Sequence, residues 1–129
     1  METKLHNQRP KHLNLFKIKQ PLPAVVSILH RISGVLLFFP GIPLLLYSLQ
    51  MALQSQQSFE ALQTCLSEPM IKVMLLISLW FFLHHVCAGI RHVLLDLQIG
   101  IALPQARLGS RLVLIGGVML TLLAAAVIW

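Results

Sequence analysis

Four of the six histidines, His30, His84, His85 and His92, fall within or at the ends of long apolar stretches. Imidazole can ligate a metal, relay a proton or hydrogen-bond a substrate. Ionisable groups at membrane depth are costly, with charged side chains opposed by roughly 2.5–3.5 kcal/mol at a helix centre, so they face a protein interior, a cavity or a cofactor. Two segments concentrate such groups: Ser27-Ile28-Leu29-His30-Arg31-Ile32-Ser33-Gly34, and His84-His85-Val86-Cys87-Ala88-Gly89-Ile90-Arg91-His92.

Helical periodicity sorts these residues. Ser27, His30, Arg31 and Gly34 stand at i, i+3, i+4 and i+7, one polar stripe whose Gly34 leaves room for a flat ring or another helix. His85, Gly89, His92 and Asp96 form a second stripe, while His84, Ala88, Arg91 and Leu95 form another about 100° away. His85 and His92 are separated by about 10 Å of rise on nearly one face.

The elements that must hold these stripes are membrane spans. The chain has 129 residues, 57% hydrophobic and 11% charged, with a mean hydropathy of +0.79, too little polar surface for a water-soluble domain. Three apolar stretches, roughly 25–53, 70–95 and 108–129, each meet the requirement of about 20 helical residues. Their runs are continuous rather than alternating, which disfavours strands. The expected fold is an all-α integral membrane protein with three transmembrane helices in a single domain, 1–129. Pro40 and Pro43 each remove a helix donor and predict a kink in the first span.

The first twenty residues carry Lys4, Arg9, Lys11, Lys17 and Lys19 but lead into a span longer than a signal-peptide core, without a small-residue cleavage site, so no removable signal is expected. The connection between the first two spans contains Glu60 and Glu68 and no Lys or Arg; the next contains Arg107, flanked by Arg91 and Arg111. The positive-inside rule therefore predicts a cytoplasmic N-terminus and second connection, and a periplasmic C-terminus at Trp129. All of the ten basic residues except Lys72 then lie on or near the cytoplasmic side. Topology and anionic lipid headgroups account for the net charge of +6 better than nucleic acid does, because no aromatics interleave with the basic residues. Cys65 and Cys87 are expected at different depths, with no disulfide between them.

Zinc or non-haem iron would recruit three or four converging ligands, and no carboxylate accompanies His84 or His85 within the membrane. The adjacent histidines point about 100° apart and cannot clamp one haem iron from opposite faces. A bis-imidazole haem would take its second ligand from another chain or from a distant histidine such as His30. Blander roles exist for each residue. A membrane histidine can simply bond a neighbouring helix, Arg91 and Arg111 can be interfacial anchors, Asp96 a helix-end residue and Cys87 a small packed one.

Arg9-Pro10, Leu13, Leu15, Pro23, the segment Ser27–Gly34 and the pattern His85-x-x-x-Gly89-Ile90-Arg91-His92 ending in Asp96 together resemble the cytochrome b membrane anchors of succinate dehydrogenase, respiratory complex II. The resemblance covers nearly the whole chain. It implies half of a haem-binding anchor bundle, with haem b shared with a second small hydrophobic anchor subunit. It also implies a flavoprotein bearing FAD and a subunit bearing iron–sulfur clusters on the cytoplasmic face of a bacterial inner membrane, with succinate oxidised on the flavoprotein. Ubiquinone is the implied substrate of the membrane part. By position in the motifs, Ser27 and Arg31 match quinone-binding residues, and His85 the axial haem ligand, with His84 as the alternative. His30, Arg31, His92 and Asp96 correspond to a haem-propionate or proton network. An anchor of a quinol:fumarate reductase, or a structural membrane adaptor without haem or quinone, are the competing expectations.

Overall fold

A computed structural model of the chain describes residues 18–128. The Arg9-Pro10, Leu13 and Leu15 part of the motif, the basic residues Lys4, Arg9, Lys11 and Lys17, and Trp129 lie outside them. Among the described residues every regular element is helical: α1 (Leu22–Leu36), a π-turn (Leu37–Gly41), α2 (Ile42–Gln54), α3 (Gln56–Ser67), α4 (Pro69–Asp96) and α5 (Leu103–Ile128). Three helical stretches, Leu22–Gln54, Pro69–Asp96 and Leu103–Val127, are long and apolar enough to cross a membrane. At 1.5 Å per residue, the 28 residues of α4 measure about 42 Å and so overrun a hydrocarbon core of about 30 Å.

Proline begins most of these helices. Pro23, Pro43 and Pro69 occupy the first turns of α1, α2 and α4, where a missing N–H costs nothing and a fixed φ favours the helix. Pro40 sits mid-span and acts differently. It cannot donate to a carbonyl one turn back, its ring crowds that carbonyl, and the helix widens locally so that the Ile42 N–H donates to the Leu37 carbonyl. Gly41 belongs to the same bulge: a Cβ there would stand 3.3 Å from the Leu36 carbonyl oxygen.

The bulge divides the first span functionally. α1 packs on both α4 and α5, and α4 packs along α5, whereas α2 touches only the π-turn and α3. The expected proline kink thus takes the form of a π-bulge beyond which the span leaves its neighbours. The connection before α4 is itself helical and forms α3. Ser55 caps it, its Oγ accepting from the Ser58 N–H while the Ser58 hydroxyl meets the Ser55 N–H.

α4 stops at Asp96, with Leu97 as its cap, through a Schellman closure. Ile99 N–H donates to the Leu94 carbonyl and Gln98 N–H to the Leu95 carbonyl, with Gln98 left-handed at φ 63°. This stop fixes where His92 and Asp96 emerge.

The interior is small. Val26, Ala88 and Val113, one from each of α1, α4 and α5, form its apolar centre, with Cys87 and Leu114 against it. Ser33, His84, Arg91 and Ser110 are the buried polar residues. Most leucine, isoleucine, valine and phenylalanine side chains point outward, as membrane lipid and partner helices require. Cys65 is exposed, Cys87 half-buried, and neither forms a disulfide.

Candidate functional site

The site is built across the α1–α4 contact. The His30 and His85 imidazoles stack with centroids 4.2 Å apart and planes 20° from parallel. His92, two turns beyond His85 on α4, tilts against His30 with centroids 5.1 Å apart. Glycines permit this approach. A Cβ at Gly34 would meet His85 Cε1 at 3.1 Å, and one at Gly89 would lie 3.6 Å from His30 Nε2.

Hydrogen bonds hold one edge of His85. Its Nδ1 lies 3.1 Å from the His30 carbonyl oxygen and 3.1 Å from Ser33 Oγ, and Ser33 Oγ donates to the same carbonyl at 2.8 Å. His85 Nε2 takes part in no hydrogen bond among the described residues. No group of three or more His, Cys, Asp and Glu there is arranged to hold a metal ion. His30 and His85 stack, His92 tilts against His30, and their geometry offers single nitrogens rather than a chelate.

His84 occupies a separate environment. It is fully buried, stacked on Trp80 at 5.4 Å and 24°, with its backbone and Cβ against Gly117 of α5 and its ring beside the α1 backbone at Val26. Neither ring nitrogen has a hydrogen-bond partner. The two adjacent histidines therefore differ: His85 bonds to the α1 groups His30 and Ser33, whereas His84 sets its backbone against α5 and its ring beside Trp80 and the α1 backbone at Val26.

Other site candidates are more dispersed. Arg31 and Asp96 are exposed and Ser27 half-buried; none of the three makes a side-chain hydrogen bond or ion pair among the described residues. Of the first stripe, His30 and Gly34 meet α4; Arg31 does not join them. Arg91 is not a free interfacial anchor. It packs on Gly109, donates from Nη2 to the Ala106 carbonyl at 3.4 Å and is 8% exposed, while Arg111 is exposed. Sequence reasoning gave no role to Ser33, although it lies one turn from His30, nor to Gly109 and Gly117, whose smallness at an interhelical contact was the available signal.

These features define a multi-pass membrane subunit in which His30, His85 and His92 gather in one interhelical cluster, with His84, Arg31 and Asp96 outside it. The model of the succinate dehydrogenase/fumarate reductase transmembrane subunit family matches residues 6–124, and the chain belongs to that family. It is 37% identical over 126 residues to the succinate dehydrogenase cytochrome b556 subunit of Coxiella burnetii, covering 97% of this chain and all of that protein. It is 31% identical over 116 residues to the subunit of the same name from Paracoccus denitrificans, covering 90% of this chain and 87% of that one. With the corresponding subunit of Rickettsia conorii it shares 29% identity over 119 residues, 92% of each chain.

Proposed function

We propose that the chain is a membrane-anchor cytochrome b subunit of a succinate:ubiquinone oxidoreductase, contributing one face of a b-type haem site and part of a quinone site. The observation that carries this reading is His85, held at Nδ1 by α1 and unbonded at Nε2. Ligating histidines typically bind metal through one ring nitrogen while the other is fixed by a carbonyl. An imidazole fixed at Nδ1 and left unbonded at Nε2 would be suited to hold a haem iron. His84 does not compete well, since both its nitrogens are enclosed by this chain's own helices.

His85 would supply one axial ligand, and the second small hydrophobic anchor the other. Haem b, when bound, would supply a one-electron store. His30 and His92 border the same face, suited to hold propionate charge or pass a proton, with Asp96 at the helix end. Ser27 and Arg31, on the exposed side of α1, are available to a site completed by other subunits. The Ser27 hydroxyl would donate to a quinone oxygen, and the Arg31 guanidinium would stabilise negative charge as two electrons and two protons convert ubiquinone to ubiquinol. Succinate oxidation belongs to the flavoprotein with FAD, and iron–sulfur clusters on a further subunit bring the electrons to the membrane. The charge asymmetry of the connections supports a cytoplasmic N-terminus in a bacterial inner membrane, with the soluble partners on that side.

The matching family also covers fumarate reductases, so the reverse reaction, with this chain serving a quinol:fumarate reductase, is the second reading. Gentle purification, subunit identification and a reduced-minus-oxidised visible spectrum test the first. Copurified flavoprotein and iron–sulfur subunits with b-haem bands are expected; partners without those bands would remove the haem assignment. Faster turnover with ubiquinone than with menaquinone is expected for succinate oxidation, and the opposite preference would favour the reverse reaction.

A further inference from the structure

We propose that Ser33 is a positioning residue for the haem ligand, fixing the ring orientation and tautomer of His85. The inference rests on the reading of His85 as axial ligand and adds a residue to it.

Donor and acceptor accounting leads there. A serine hydroxyl has one proton and two lone pairs. Ser33 Oγ gives its proton to the His30 carbonyl at 2.8 Å, because a carbonyl can only accept. Toward His85 the hydroxyl must therefore accept. The second neighbour of His85 Nδ1 is that same carbonyl, also an acceptor. Both bonds require a proton on Nδ1, so the neutral ring carries its lone pair on Nε2, the nitrogen left unbonded. The arrangement closes a small ring of three groups, His30 C=O, Ser33 Oγ–H and His85 Nδ1–H.

Burial makes the accounting stringent. Ser33 is fully buried, and water does not compete for its hydroxyl. Gly34, the next residue, brings the α1 backbone within 3.1 Å of His85 Cε1 measured from its notional Cβ, so the ring is gripped at its edge as well as at Nδ1. Acceptors facing Nδ1–H make an imidazole a stronger electron donor through its other nitrogen. Such a donor favours the oxidised metal. Losing Ser33 removes one of two acceptors, and the haem midpoint potential should then rise.

The test uses the intact purified complex with Ser33→Ala, Ser33→Thr and His85→Ala. Threonine in a helix can retain the bond from its hydroxyl to the carbonyl one turn back. For Ser33→Ala, haem is retained at a reduced haem-to-flavin ratio, with affinity lowered roughly 10-fold. Its midpoint potential in a spectroelectrochemical titration is displaced upward, and the highest g value of the low-spin ferric haem is altered. Ser33→Thr returns both to the wild-type values. If Ser33→Ala assembles without haem, restoration of haem and potential by Ser33→Thr supports the proposal, and failure to restore them overturns it. A Ser33→Ala complex with wild-type potential and g values also overturns it. His85→Ala separates the two levels: loss of haem there with an unaffected Ser33→Ala defeats only the Ser33 role, whereas full haem in His85→Ala defeats the ligand assignment and the Ser33 role together.

Discussion

His30 and His85 are set face to face by reciprocal glycines: Gly34, one turn beyond His30 on α1, lies beneath His85, and Gly89, one turn beyond His85 on α4, lies beneath His30. The two contacts are unequal. The gap for a Cβ is 3.1 Å at Gly34 and 3.6 Å at Gly89, the first tight and the second ordinary van der Waals contact.

Gly34→Ala should accordingly displace the His85 ring, lowering the haem-to-flavin ratio and altering the haem spectrum, while Gly89→Ala leaves both near wild type. Visible spectra of the two purified complexes check this. Equal effects from the two alanines would contradict the asymmetry.

His85→Ala should abolish or strongly reduce haem retention, and His84→Ala should leave it largely intact. Pyridine haemochrome assay against flavin content measures the difference. The separation follows from geometry, since His85 keeps an unbonded Nε2 while His84 is fully buried among this chain's own helices.

His84→Leu should leave the complex equally or more resistant to heat. The wild-type ring buries two nitrogens without partners, a state that costs about 1–3 kcal/mol per unsatisfied group. An apolar side chain of comparable size removes that cost. A lower thermal midpoint in this variant would show that the imidazole is satisfied in the assembled complex.

Arg31→Ala should impair ubiquinone reduction at least 10-fold while sparing electron transfer from succinate to an artificial acceptor at the soluble subunits, because loss of a charge-stabilising donor typically costs about that much or more. Parallel assays with the two acceptors decide it, and equal losses would indicate failed assembly.

The spans were legible because a bilayer demands about 20 apolar residues, a requirement few other folds impose. Their ends were less so. The last helix begins at Leu103 rather than near Leu108, and Pro104 in its first turn was the overlooked marker. α3 escaped because the usual capping pattern has Glu or Gln three residues after the cap, whereas Ser58 fills that place. In α1, the periodic stripe through Ser27, His30, Arg31 and Gly34 is centred roughly 80° from the face that packs inward, which runs through Val26, His30 and Ser33. Periodicity reports which residues share a side; which side meets a neighbour depends on the neighbour, and on that account Ser33 joins the α1–α4 contact while Arg31 faces outward.

The π-turn at Leu37–Gly41 carries a further consequence. A helix that closes a turn over five residues instead of four holds one residue more than its phase requires, so the faces before and after it are offset by about 100°. α1 can therefore keep the register that places His30 and Ser33 against α4 while α2 presents an independently chosen face to whatever lies beside it. Removing a single residue from the bulge would leave the histidine cluster in place and turn Ile42–Gln54 about its own axis, a change of aim without a change of site.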